Sequence, residues 1–234
     1  MEILDTRVLI EKLQAAEKCY FEDKIEQYPR NNFTASQIHE CDMFMVLSIL
    51  RWRDQDPHDW KLQRLFHSGN VAEDNVSRLL QYFGYPLLRR QEWIEFKFRK
   101  DIILRGRIDG YIGKQLIEIK STNPYTFKKM KTALDFSENR LYNRYLAQAT
   151  MYMHMLEEPT LLFILTDGKE IKYIPYEYAK SFAKDIIERL KTLWGYVKKE
   201  HYPDYVTRDE KCADCSFTHI CDAKKVAKKA DTIN

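Results

Sequence analysis

The stretch 104–122 constrains this chain more than any other, because it sets charged side chains into a pattern that otherwise reads as buried strand. Gly113 and Lys114 supply a tight turn. Ile108 and Asp109 lie on the arm before it, and Gln115–Ser121, carrying Leu116, Ile117 and Ile119, forms the arm after it. Successive strand residues point to opposite faces, so Glu118 and Lys120 share one face while Ile117 and Ile119 share the other. The register of a short-loop hairpin brings Asp109 to the face of Glu118 and Lys120. Two carboxylates and an amine on one sheet surface outline a site for divalent-cation-assisted hydrolysis.

The remainder of the chain is enough to fold around such a hairpin. Its 234 residues, 44% of them hydrophobic, suffice for one domain with a sizeable core. No apolar run approaches the roughly 20 residues a membrane span needs. The N-terminus has acids where a signal peptide has its basic region, and no apolar segment follows, so the expected compartment is the cytosol. A net charge of +3 is too mild to demand a polyanionic partner. Lys128, Lys129 and Lys131 nevertheless crowd the segment after the hairpin, and Lys224, Lys225, Lys228 and Lys229 crowd the C-terminus. Solvated helix faces explain either cluster taken alone.

Periodicity lays out the elements. Residues 3–28 read as helix, 31–36 as a turn, and a second helix starts near Ala35 with Ser36 as its cap, running through Ile38, Cys41, Phe44, Leu47 and Ile49. The spacing predicts a long helix over 61–83 with Leu62, Leu65, Val71, Val76, Leu79, Leu80 and Phe83 facing inward, which leaves Glu73 on the surface. Residues 91–99 alternate as a strand with Ile94, Phe96 and Phe98 on one face, so three antiparallel strands in succession are expected. A helix over 138–156 carries Leu141, Tyr145, Gln148, Tyr152 and Met155. Strands at 161–166 and 170–176 flank an Asp167, Gly168 turn, and a last amphipathic helix covers 178–196. This order predicts an α/β fold, a mixed sheet flanked by helices.

The tail carries Cys212, Cys215 and Cys221, a C-x2-C-x5-C array in a segment with little apolar residue to pack. In a reducing compartment a metal explains such thiols better than disulfides do. Cys41 completes a four-cysteine set for zinc or an iron-sulfur cluster. Cys19 is a spare candidate, and His219 would instead complete a zinc site of three cysteines and one histidine.

With these pieces assembled, the chain resembles the PD-(D/E)XK nuclease superfamily, specifically RecB-type exonucleases with an iron-sulfur cluster, as in CRISPR-associated exonucleases and AddB helicase-nuclease subunits. Asp109 with Glu118 and Lys120 looks like the D...(E)xK core. Gln148 and Tyr152 look like the QxxxY motif, and the segment Ser36 to Cys41 with the tail array looks like the paired cysteine segments of a 4Fe-4S site. The family's G-x3-H histidine has no counterpart after Gly69, where Glu73 stands; His67 is a weaker substitute.

The resemblance implies a restriction-endonuclease-like mixed sheet in a single nuclease domain over 1–234, with a catalytic core at 60–200 and a cluster region at 36–54 with 205–225. It also implies hydrolysis of DNA at or near ends. Asp109, Glu118, Glu73 and the Ile119 carbonyl would hold Mg2+ or Mn2+, with Lys120 acting on the attacking water. Gln148 and Tyr152 would orient Lys120 or a phosphate. Tyr125 and Phe127, beside the lysines, would stack a single strand. Partner proteins of recombination, repair, CRISPR adaptation or phage replication fit the same resemblance. The competing readings are a non-catalytic DNA-binding or assembly module and a zinc-stapled nucleic-acid binder.

Overall fold

The computed structural model describes residues 6–138, 140–204, 212–213 and 215–221. They form an α/β fold on two mixed sheets. In the first, β1 (Phe33–Thr34) lies parallel to β3 (Ile102–Arg107), whose other edge pairs antiparallel with β2 (Trp93–Arg99). In the second, β4 (Gly110–Ile112) pairs antiparallel with β5 (Gln115–Ser121), β5 runs parallel to β6 (Thr160–Thr166), and β6 pairs antiparallel with β7 (Ile171–Glu177). A parallel step requires a crossover. Here α4 (Pro124–Lys129), α5 (Leu134–Ser137) and α6 (Arg140–Leu156) supply it. Helices α1 (Thr6–Glu22), α2 (Asp42–Leu50) and α3 (Trp60–Tyr82) precede β2, and α7 (Lys180–Lys198) follows β7.

Helix α6 joins the two halves, because small and apolar residues cover both of its sides. Ala149, Tyr152 and Met153 pack with Leu116, Phe136, Phe163 and Leu165 around the second sheet. Ala147 and Met151 pack with Leu104 of the first sheet and with Ile186 and Leu190 of α7. The Ile117 and Ile119 face of β5 turns the other way, against Val76 and Leu80 of α3. Arg189 ties α7 to the entry of α2, bonding Asp42 at 2.7 Å and the carbonyls of Ile38 and Glu40.

Several expectations are corrected. The first hairpin arm is not one strand: β3 stops at Arg107 and β4 begins at Gly110, so Ile108 and Asp109 occupy a break between the sheets. The connection preceding β2 forces this break, since Leu88 and Tyr111 exchange two backbone hydrogen bonds. Gly110 accommodates their approach; its φ is +145° and a Cβ there would sit 2.8 Å from the Leu88 carbonyl. Phe33 and Thr34, read as a turn, pair with β3, and a 3₁₀ turn over Ala35–Gln37 follows, so Cys41 rather than Ser36 caps α2. In α3 only Val76 and Leu80 are buried, whereas Leu62, Leu65, Val71, Leu79 and Phe83 are exposed. That helix meets the sheet along one narrow line. Lys224, Lys225, Lys228 and Lys229 lie outside the described residues, and no described helix is long and apolar enough to cross a membrane.

Packing between the halves is close at Gly106. An added Cβ would fall 2.3 Å from Cε1 of Tyr152, a side chain that is 2% exposed and hydrogen-bonded through its hydroxyl, and 3.3 Å from Cβ of Ala35. Gly106→Ala is expected to cost about 1–3 kcal/mol of stability by overpacking; urea unfolding of the two proteins measures it.

Candidate active site

Asp109 gains its position from the strand break. With no ladder partner of its own, it reaches across to β5, where its Oδ2 accepts the backbone N–H of Ile119 at 2.6 Å. Glu118 and Lys120 flank that amide in sequence and share the opposite face of the strand from Ile117 and Ile119. Lys120 Nζ lies 2.5 Å from Glu118 Oε1 and 5.0 Å from the centroid of the Tyr145 ring. Asp109 and Glu118 are 7% and 1% exposed. The ion pair is close but poorly directed: neither Glu118 oxygen has a hydrogen-bond partner of ordinary geometry.

Glu73, expected from periodicity to be a surface residue, is instead half-buried on α3 and faces the same centre. Gln91, in the connection from α3 to β2, donates from its amide nitrogen to Glu73 Oε1 at 2.5 Å and to Asp109 Oδ1 at 3.4 Å. Arg90 approaches Glu73 at 3.9 Å while pairing with Asp74.

These groups carry a charge imbalance. Burial raises the carboxyls of Asp109 and Glu73, and the Asp109 charge raises Glu73 further. Glu118 is pushed up to about 8 by burial and by Asp109, against the attraction of Lys120. Lys120 is itself raised, because the acids around it outweigh its own burial. The two partners of the ion pair thus move in ways that suggest different charge states. Lys120 stays charged, since two acids hold its proton, and the repulsion falls on the three carboxyls, whose other cations, Arg90 beside Glu73 and Arg107 toward Asp109, act from the rim. A divalent ion would supply the missing positive charge, and an all-oxygen donor set with two orphaned carboxylate oxygens suits Mg2+ or Mn2+. Among the described residues, no three His, Cys, Asp or Glu side chains converge closely enough to hold a metal ion as they stand.

The other expected site residues divide. Gln148 donates to the Tyr152 hydroxyl at 2.8 Å, and that hydroxyl donates to the Arg107 carbonyl at 2.9 Å. The pair therefore grips the backbone just ahead of Asp109, with the Tyr152 hydroxyl within the field of Glu118 and Lys120, and Lys120 also lies over the Tyr145 ring. His67 packs against Phe21, 5.7 Å between ring centroids. Phe127 is buried beneath Lys172 and cannot stack a base, whereas Tyr125 is 69% exposed with Lys129 over its ring. A second such pair went unnoticed in the sequence: Trp93, 64% exposed, faces Arg107 across β2 and β3. Gln91 was missed too, because a polar loop residue has no periodicity to mark it.

Cys41, Cys215 and Cys221 pack against one small apolar cluster, but no three of the described cysteines converge closely enough to hold a metal as they stand, so the expected four-cysteine site is not formed in the structure. Phe217 is fully buried against Met43 and Leu47 of α2, and Asp56 and Gln55 bond Ser216 at 2.9 and 3.1 Å. Cys41 accepts the Phe44 N–H at its sulfur as the cap of α2. Its thiol is pushed up to about 11 by burial, with added repulsion from Cys215, Cys212 and Cys221. Cys19 is exposed on α1 toward Asp23, and His219 pairs with Asp56 at 3.0 Å, so neither joins this group in the structure. A thiolate set of this kind fits zinc or an iron-sulfur cluster by donor chemistry.

No family model matches the sequence, and no curated protein matches it. Solved structures do share the fold. SSO0001 superposes with a TM-score of 0.57 at 13% identity, covering 92% of this chain and 97% of its own. The complex of LHK-Exo with dAMP gives 0.55 at 16% identity, over 73% of this chain and 89% of its own. The same alkaline exonuclease from Laribacter hongkongensis, in a second structure, gives 0.51 at 17% identity over the same shares. At such identities the likeness is one of fold: this chain adopts the α/β architecture of the alkaline exonuclease.

Proposed function

We propose that the protein is a metal-dependent deoxyribonuclease of the PD-(D/E)XK type, acting as an exonuclease on single strands or ends. The observation that carries this reading is the convergence of Asp109 and Glu118 of the broken hairpin and Glu73 of α3 on Lys120, an excess of buried acid that makes sense as a cation and phosphate site. The fold shared with an alkaline exonuclease supports it. Asp109, Glu118, Glu73 and the Ile119 carbonyl would hold Mg2+ or Mn2+; bound there, such an ion lowers the pKa of a water and offsets charge building on the scissile phosphate. Lys120, kept protonated by its acids, donates to the attacking water and the phosphate oxygens. Tyr152, backed by Gln148, fixes the chain entering Asp109. Trp93 with Arg107 and Tyr125 with Lys129 present exposed rings capped by cations, a combination that accepts single-stranded bases and phosphates. Partners in recombination, repair, CRISPR adaptation or phage replication remain part of the proposal.

Cys41, Cys212, Cys215 and Cys221 are proposed as ligands of a structural 4Fe-4S cluster. The support is the C-x2-C-x5-C spacing together with the packing of Cys41, Cys215 and Cys221 on one apolar cluster, where ligation would staple a very long loop. Purification without oxygen should yield a brown protein with matching iron and sulfide content that Cys41→Ser loses; a colourless zinc protein would refute the cluster.

End-labelled and circular single-stranded DNA, each incubated with Mn2+, test the activity. Labelled ends should be released while circles survive, and Asp109→Ala and Lys120→Ala should each lower the rate by about 100-fold or more. Cleavage of circles would overturn the exonuclease mode, and cleavage of neither substrate would overturn the enzyme.

The raised Glu118 carboxyl also predicts a pH dependence. Its folded-state pKa lies above the ordinary 4.5, so the stability it contributes is complete below that value and is lost as the pH rises through about 8. Without metal, the melting temperature should fall between about pH 5 and about pH 9. Saturating Mn2+ should offset the fall, and Glu118→Gln should flatten it and blunt the response to Mn2+.

A further inference from the structure

Gln91 has a left-handed backbone conformation in a loop held on both sides. The connection between α3 and β2 holds two non-glycine residues in the left-handed region, Arg89 at φ 50° and Gln91 at φ 57°. Such residues persist only where surrounding contacts outweigh their strain, and they gather at functional sites. Those contacts are present on both sides of Gln91. Leu88 and Tyr111 bond each other's backbones at 2.7 and 2.8 Å, and Ile108 donates to the Glu92 carbonyl at 3.0 Å. Arg89 forks onto Glu92 at 2.6 and 2.8 Å and lies over the Tyr111 ring, while Arg90 pairs with Asp74.

All this anchoring aims one amide at two acids. Ionised carboxylates only accept hydrogen bonds, so the NH2 group of Gln91 faces them, with one hydrogen available for each. It reaches Glu73 Oε1 at 2.5 Å and Asp109 Oδ1 at 3.4 Å. These acids come from different elements, α3 and the break before β4, and repel each other. Gln91 is the side chain that bridges them.

We infer that Gln91 is a positioning residue of the cation site, holding Glu73 and Asp109 together in the metal-free protein so that the acids are assembled when the ion arrives. The inference rests on the metal-site reading above. Groups that orient ligands in this way typically contribute 10–100-fold to metal affinity.

Isothermal titration of Mn2+ into the full chain, without DNA, tests it, with melting temperature as the check on folding. Gln91→Leu should stay folded and bind Mn2+ about 10–100-fold more weakly, and Gln91→Asn, whose shorter amide cannot span both acids, should fall between. In cleavage assays the Mn2+ concentration for half-maximal rate should rise, with the rate at saturation changing less. Wild-type affinity in a folded Gln91→Leu overturns the inference; should that variant not fold, wild-type affinity in Gln91→Asn does so. If the wild-type protein binds no Mn2+, the metal-site reading falls and the inference falls with it.

Discussion

The hydrogen bond from the Ile119 amide to Asp109 joins two sheets at the point where the chain passes between them, and the arrangement of the site follows from it. A residue in a continuous ladder spends its backbone on its neighbours. Asp109, in the break between β3 and β4, lets its side chain take the β5 amide instead, between the two residues that carry charge. Burial then makes the arrangement costly, because three carboxyls draw on one lysine in a region of few compensating hydrogen bonds. A site that is electrostatically unsatisfied alone is well matched to a cation and a phosphate.

The scaffold keeps this tension local. Helix α6 is packed on both sides, and through Tyr152 it holds the Arg107 carbonyl two residues ahead of Asp109. The connection before β2 closes the other side with paired backbone bonds and the arginines at 89 and 90. Between these two supports the acids have little room to move apart.

The second constellation is built differently. Among the described residues of the cysteine tail, Phe217 is buried against α2 and Ser216 bonds the loop at Gln55 and Asp56. The ordering entropy of this segment is offset in part by the burial of Phe217.

Alternation and helical period were enough to recover the α/β class, both hairpin turns, the strand 161–166 and the apposition of Glu118 with Lys120, because each depends on residues close together in the chain. The motif spacing pointed to Asp109 as well. What the tertiary structure alone decided were the long-range pairings. Only the Leu88 and Tyr111 contact splits the first arm and turns Asp109 into the gap. Only the narrow line along which α3 meets β5 brings Glu73 inward while leaving Leu62, Leu65 and Val71 outside. Phe127 and Gln91 mark the same limit from opposite sides: an aromatic residue expected to meet substrate is buried in the core, and a loop amide without periodicity lies between two acids. Local sequence encodes which faces a strand or helix has, but which face meets which neighbour is set by packing between distant segments.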